Sequence, residues 1–517
     1  MPQAQDAQKR PNCAPSGLMQ LNIPKIRRHP ELSTKHLANG SSAVLLVPAD
    51  SAILKQLPFG EVIGERMQRL GYKLGDAKPF VTDLPNALGT RLAIAGIKSE
   101  ASAFERLTLA RKLVAAQMDG RPAHLMLGCP GFNNSYAEIA LEALISAILA
   151  ADFALPDYKS GGAKPRRLKE LTVFGPLSDA TLARTVAGAR GNNLARYLTA
   201  LPPNELTPAN YRRRVEQLAR ESGWKIEFLD LKKLRQRNAG AFLAVAQGSP
   251  EPDAGIMRLS YSPKKRSAGG GIALVGKGIC FDTGGTNLKS AKHMQGMHED
   301  MEGSAVALGT LLALTELKVD FAVDCWLALA QNHIGPRAYR QNEVVTAANG
   351  TTIEVVHTDA EGRMVLADTL HFASAAKPRL LIDYATLTGA CVGALSTRLS
   401  GVFTNQPGLI PTLIHAGEGS GERVWPFPLP PDFAESLKSD VADVKQCTLE
   451  NDADHILAAI FLKRFLVGDV DWVHVDLAAG NHKGGLAHIP TDITGFGVRF
   501  TLNLLLQQQA LSKAKQK

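Results

Sequence analysis

Short unbroken apolar runs alternate along this chain with longer stretches in which apolar residues recur every three or four positions. Ala43-Val44-Leu45-Leu46-Val47, bounded by Gly40 and Pro48, predicts a buried strand. Leu92-Ala93-Ile94-Ala95 and His124-Leu125-Met126-Leu127 repeat the signal, and between them Phe104 to Met118 and Tyr136 to Leu149 follow the helical period. Strands alternating with helices predict an α/β domain with a largely parallel sheet. The polar, glycine-containing stretch Asp157 to Lys164 interrupts the pattern; Leu171 to Phe174 then predicts one more strand. A helix is expected from about Ser178 to Leu198, ended by Pro202-Pro203-Asn204 because proline cannot continue it. Further strands are predicted at Gly271 to Val275, Phe321 to Ala328, Leu380 to Asp383 and Trp472 to Asp476. The organisation expected is a loosely ordered arm over 1–40, an α/β domain over 41–177, a linker helix over 178–200 and a larger second domain over 201–517.

Composition narrows the class. With 517 residues the chain is too long for one compact domain, and 45% hydrophobic with 21% charged residues is ordinary for a globular protein. No run approaches the ~20 apolar residues of a membrane span. Met1 to Pro30 has no apolar core of the secretory kind, so a cytoplasmic protein with no membrane part is expected. Six cysteines, Cys13, Cys129, Cys280, Cys325, Cys391 and Cys447, lack CxxC spacing, which argues against a cysteine zinc site or a disulfide framework. The net charge of +9 raises nucleic-acid binding as an alternative function. The basic groups (Arg27-Arg28, Arg166-Arg167, Arg212 to Arg214, Lys264 to Arg266 and a tail with Lys513, Lys515 and Lys517) are dispersed, so a binding patch would require them to converge in space.

Chemistry concentrates in two segments. The first runs Gly276-Lys277-Gly278-Ile279-Cys280-Phe281-Asp282-Thr283-Gly284-Gly285 and on through Lys289 and Met297 to Asp300. An apolar strand leads into Lys277 and Asp282, and a glycine pair lets the backbone bend near a ligand. The second is His357-Thr358-Asp359-Ala360-Glu361-Gly362-Arg363. In extended backbone Asp359 and Glu361 would point the same way. Converging carboxylates repel, so they require cations, and hard oxygen ligands suit divalent metals. The spacing of a phosphate-binding P-loop is absent. His293, His298, His333 and His357 suggest zinc ligands, but no HExxH is present.

Together the two segments resemble the leucyl aminopeptidase (cytosol aminopeptidase) family of two-metal exopeptidases. The resemblance extends to Asn193 to Arg196, Pro202 to Pro208, Gly240 to Ser249, Thr386 to Ala390, Lys438 to Asp443 and Thr494 to Arg499, and so covers most of the second domain. It implies an α/β/α zinc-exopeptidase-like catalytic domain behind an N-terminal α/β domain. It also implies that two divalent ions, zinc or manganese, are held by Lys277, Asp282, Asp300, Asp359 and Glu361, with Asp282 and Glu361 bridging. Lys289 and Arg363 match the two cationic catalytic residues. The implied mechanism is attack by a bridging hydroxide on peptides with a free N-terminus. Arg363 would anchor a bicarbonate ion as proton shuttle, its planar fork matching a planar anion. Met297, Thr386, Leu387 and Gly389 match the first side-chain pocket, which would favour leucine-like residues. A homo-hexamer is implied as well.

The chain departs from the family pattern at His357, Gln331, Gln341 to Glu343, Glu302, Asn451 to His455 and Ala478 to Gly485. None of these removes an implied ligand or catalytic cation. They are expected to affect the pocket rim and subunit contacts.

Overall fold

The computed structural model describes residues 23–160, 167–264, 270–450 and 452–508. Two sheets dominate it. The first has six strands in the order Lys25–His29, Glu170–Phe174, His124–Gly128, Ser42–Pro48, Arg91–Ile97 and Phe80–Asp83. All neighbours pair in parallel except the last, an antiparallel edge. Helices Ala103–Met118 and Asn134–Ala151 cover one face. Ser102 starts the first of them with a capping box: its hydroxyl accepts from the Glu105 amide, and the Glu105 carboxylate accepts from the Ser102 amide. Asn134–Ala151 has the length and hydropathy of a membrane span, yet Ala140, Leu141, Leu144, Ile145 and Ile148 are fully buried in the domain core.

The arm expected over 1–40 is corrected in its later part. Lys25–His29 pairs with Glu170–Phe174 as the edge strand, and Thr34–Ala38 forms a helix capped by Ser33. An edge strand buries little, and only Ile26 and His29 here are partly buried, so no apolar run was needed to make it. Residues 1–22 of the expected arm and 161–166 of the expected break lie outside the described residues.

The second sheet has eight strands, ordered Val424–Pro426, Ser400–Thr404, Asp471–Asp476, Leu380–Ala385, Ile272–Asp282, Val323–Asn332, Gly255–Tyr261 and Lys225–Asp230. The middle strands, Asp471–Asp476 through Val323–Asn332, run parallel, and antiparallel strands flank them. Both faces are covered. Ile272 and Leu274 join a core with helices Pro208–Ser222 and Glu302–Glu316, whereas Ala273 and Val275 face helices Gly240–Ala246 and Glu361–Ala375. This is the period-two alternation of a strand buried on both sides. The five cysteines among the described residues are free and buried, consistent with core thiols.

Helix Asp179–Thr199 follows the strand Glu170–Phe174 of the first sheet, precedes the strands of the second and crosses Glu302–Glu316. Its buried polar residues reach into the second domain: Asn192 Nδ2 donates to the carbonyls of Thr494 (2.9 Å) and Gly495 (3.0 Å), and Arg196 donates to Thr491 Oγ1. Arg499 donates to Glu142 across the interface at 2.6 and 2.9 Å. Burial raises the Glu142 carboxyl, but Arg499 outweighs it and brings the pKa down to about 2. His488, beside this pair, is pushed down to about 3, chiefly by burial and then by Arg499. The folded state therefore excludes a proton that the unfolded chain binds below about pH 6.5, so His488 costs stability progressively as pH falls. The expected penalty is about 2 kcal/mol at pH 5. In thermal melts, His488→Gln should gain on the wild type between pH 7 and pH 5; a difference independent of pH would contradict this.

Candidate active site

The longest strand of the second sheet, Ile272–Asp282, builds the site. Gly276 is forced by packing, because a Cβ there would lie 2.3 Å from the Ser304 Cα at the start of the adjoining helix. The Gly-Lys-Gly segment is therefore strand interior, with the helix on one face and Lys277 directed to the other. Tyr384 is opposite Gly276, so Leu380–Ala385 ends just beside Lys277, and the chain leaves the sheet at Thr386. Such an exit at the carboxyl ends of parallel strands is where open α/β sheets form their sites. Past Asp282 the chain turns at Gly284 (φ 85°) and Gly285 (φ 63°), left-handed conformations that favour glycine. This is the bend expected from the glycine pair.

Asp359 and Glu361 do converge with Asp282: one carboxylate oxygen from each lies within 4.8 Å of the others. The expected cause, extended backbone, is not the one found. Asp359 lies in a turn and Glu361 is the first residue of helix Glu361–Ala375, where the positive end of the helix dipole favours a carboxylate. Gly362 must be glycine for Lys277 to fit, since a Cβ there would come 2.7 Å from Lys277 Cε.

Lys277 Nζ contacts Asp300 Oδ1 (2.7 Å) and Glu361 Oε1 (2.9 Å), and donates to the Thr386 carbonyl (2.9 Å). Lys289 Nζ contacts Asp282 Oδ2 (2.9 Å) and Asp359 Oδ1. Burial favours a neutral Lys277, but Asp300, Glu361 and Asp282 outweigh it and hold the ammonium form. Lys289 is held the same way by Asp282, Glu361 and Asp359. Burial, with Glu361 and Asp300 nearby, pushes Asp282 well up. Burial brings Asp300 up to about 7, although Lys277 opposes it. Burial would raise Glu361 too, but the two lysines win and lower it.

The site is left short of positive charge. Four carboxylates face two lysines, and the buried oxygens Asp300 Oδ2 and Glu361 Oε2 have no hydrogen-bond partner. Unpaired buried carboxylate oxygens are costly, and hard oxygen donors at this spacing fit divalent cations. No histidine belongs to the carboxylate cluster among the described residues. His357 instead supports the turn, its Nδ1 accepting from the Asp359 amide at 3.3 Å.

A cavity of about 330 Å³ opens onto the cluster, and Met297, Thr386, Leu387 and Gly389 line it beside Lys277, Lys289 and Arg363. Sequence reasoning missed several neighbours. Val392, one helical turn past Gly389, is one of them, whereas Ala478, in a segment expected at the pocket rim, does line the cavity after the carboxyl end of Asp471–Asp476. Asn332, opposite Asp282 in register, donates to Asp282 Oδ1 at 2.8 Å and to the Thr358 carbonyl at 3.0 Å. Asp476 Oδ1 accepts from the amide of Leu387 (3.2 Å) and its Oδ2 from Thr388 Oγ1 (2.7 Å), fixing the pocket loop. Strand-end polar residues were the available signal for both. Glu302, expected at the rim, lines the cavity from a buried position, and burial, then Glu299, pushes its carboxyl well above the usual range.

Arg363 also lines the cavity, but its guanidinium is already engaged. Nη2 donates to Asp454 Oδ1 (2.7 Å) and Oδ2 (2.8 Å), and Nη1 donates to the Gln446 carbonyl (3.2 Å). The donor face expected to hold bicarbonate is occupied by a carboxylate of the chain itself. The basic triplet is likewise locally paired: Arg212 with Glu216 (2.7 Å), Arg214 with Glu205 (3.6 Å), Arg213 with Asn210. Of the pair Arg166-Arg167, whose convergence with this triplet a binding patch would require, Arg166 lies outside the described residues.

The chain matches the model of the cytosol aminopeptidase family catalytic domain over residues 193–502. A probable cytosol aminopeptidase of Methylorubrum populi is 36% identical over 479 residues, covering 89% of this chain and 94% of the relative. The cytosol aminopeptidase of Pseudomonas aeruginosa is 36% identical over 442 residues, covering 83% and 86%. Among solved structures, the bottromycin maturation enzyme BotP in complex with Mn is similar at TM-score 0.79 and 30% identity, covering 91% of this chain and 99% of that one. A mutant tomato leucine aminopeptidase is similar at TM-score 0.82 and 26% identity, covering 94% and 97%. With the whole catalytic region matched and a cluster of lysines and carboxylates at the mouth of its cavity, the chain belongs to the cytosol aminopeptidase family of metal-dependent peptide hydrolases.

Proposed function

We propose that this chain removes leucine-like residues from the N-termini of peptides at a centre of two divalent ions held by Lys277, Asp282, Asp300, Asp359 and Glu361. The observation that supports it most directly is the convergence of Asp282, Asp359 and Glu361 within 4.8 Å beside the cavity lined by Met297, Thr386, Leu387 and Gly389. Divalent ions there, zinc or manganese, supply Lewis acidity that polarises a carbonyl and acidifies water. The chain contributes the rest. Lys277 and Asp300 would hold a divalent ion on the side of Thr386, Lys277 as a neutral amine. Lys289 presents an ammonium group to the charge that develops on the scissile carbonyl oxygen. The apolar wall from Met297 and Leu387 favours aliphatic side chains, with discrimination of only ~1–3 kcal/mol between neighbours.

Assembly as a homo-hexamer is part of this reading. Exposed Trp425, Val441 and Leu449 provide apolar surface for subunit contacts. A monomeric mass by light scattering would remove that part. Cytoplasmic residence is proposed from the relatives' names and the buried free thiols.

The test is release of the N-terminal residue from leucyl dipeptides by protein stripped with chelator and then reloaded with zinc or manganese. Activity should vanish on stripping, return with metal and be absent on N-acetylated peptides. Equal turnover of blocked peptides, or of phosphate esters in their place, would rule the exopeptidase reading out. Nucleic-acid binding without turnover would favour the alternative; the local pairing of Arg212, Arg213 and Arg214 argues against it.

A further inference from the structure

Arg363 is 2% exposed, lies on the cavity wall and is two residues from Glu361. A buried guanidinium needs an anion, and in this chain the anion is covalently supplied. Asp454 is the first residue of helix Asp454–Lys463, where the helix dipole favours its charge. Both of its oxygens accept from Arg363 Nη2, at 2.7 and 2.8 Å, and its side chain is only 14% exposed. The other arm of the guanidinium is fixed by the carbonyl of Gln446. Gln446 in turn donates from Nε2 to the Ala360 carbonyl (2.9 Å) and accepts at Oε1 from the amides of Val356 (3.3 Å) and His357 (3.2 Å). One continuous set of hydrogen bonds therefore runs from Asp454 through Arg363 and Gln446 to the turn that bears Asp359 and Glu361. Asp454 lies within Asn451 to His455, where the chain departs from the family pattern.

We propose that Asp454 is a positioning residue that serves as the built-in anion of Arg363, so that peptide hydrolysis by this chain needs no bicarbonate or other exchangeable anion. The proposal rests on the aminopeptidase reading above. It differs from that reading in what it requires: a carboxylate tethered to the chain, rather than an exchangeable anion, orients the guanidinium at every turnover. Leaving Arg363 buried without any anion is strongly unfavourable, so loss of Asp454 should create a vacant site that a small planar anion can fill.

The experiment compares wild type, Asp454→Gly and Asp454→Asn, each loaded with manganese, on a leucyl dipeptide in carbon-dioxide-free buffer with and without added sodium bicarbonate or formate. Wild-type kcat should stay within about twofold on adding either anion. Asp454→Gly should lose kcat by about 10–100-fold with KM little changed, and recover at least about tenfold with bicarbonate or formate. Asp454→Asn fills the same space without charge, so it should lose kcat and not be rescued. Calorimetric titration of sodium bicarbonate provides a readout apart from activity, with binding expected to the glycine variant and none to the wild type. Stimulation of the wild type by bicarbonate, or bicarbonate heats equal in wild type and variant, overturns the proposal. Should the glycine variant fail to fold, the wild-type and asparagine measurements still decide it. Failure of every form to hydrolyse peptides with any metal counts against the aminopeptidase reading instead, and the calorimetry then tests the anion site alone.

Discussion

Replacing Glu361 with alanine should abolish metal-restored hydrolysis, lowering kcat/KM by at least ~10³-fold, about 4 kcal/mol of transition-state stabilisation. The size follows from the position. Glu361 is 2% exposed at the start of its helix, one oxygen against Lys277 and the other without a partner. Removing it deletes a charge that cations need and leaves Lys277 with Asp300 alone among its close carboxylates. Metal content after dialysis should fall along with the rate. Glu361→Gln keeps the shape and loses the charge, so it should be nearly as inactive. Variants that bind metal normally and keep a tenth of the wild-type rate would show that Glu361 is not a ligand.

The second large effect concerns stability. Gly191 and Gly309 meet where helices Asp179–Thr199 and Glu302–Glu316 cross: a Cβ on either would lie 2.3 Å from the carbonyl oxygen of the other. Gly→Ala within a helix normally gains about 1 kcal/mol of propensity. Here the overlap is with backbone, which cannot rotate away, so the helices must separate by something near an ångström. Such overpacking costs about 3 kcal/mol, and the steric term wins. Gly309→Ala should therefore lower the midpoint of thermal inactivation by several degrees. Gly393→Ala, in a short exposed helix with nothing within 4 Å, serves as the control and should be neutral or slightly stabilising. Activity should fall with stability in Gly309→Ala, because the same helix begins just after Asp300. If both variants melt alike, the crossing is looser than the structure indicates.

Much of this was legible before folding. The apolar runs at Ala43 to Val47, Leu92 to Ala95, His124 to Leu127 and Leu380 to Asp383 all became strands within a residue or two of their expected ends. Such runs are local: burial on both faces demands apolar residues in sequence, so the requirement is written where the strand is. Ser178 marked the start of the linker helix for a similar reason, since an N-cap acts within three residues. The edge strand Lys25–His29 carried no such mark, because an edge leaves most of its residues in solvent.

The site divides along the same line. The residue types, the glycine bend and the carboxylate clusters were in the sequence, because the chemistry of hard cations and close backbone approach fixes which residues can serve. Their partners were not. Asp359 and Glu361 converge through a turn into a helix, not through an extended strand, and that depended on the packing of Glu361–Ala375 against Ile272–Asp282. Asn332 reaches Asp282 from 50 positions away, and Asp454 reaches Arg363 from 91. Sequence alone thus determined the fold class, the family and the inventory of reactive groups, since each is set by local pattern or residue identity. Tertiary structure decided which charges neutralise one another, and so whether Arg363 is free to hold an anion, because Coulomb and hydrogen-bond energies depend on distance in space and not on separation along the chain.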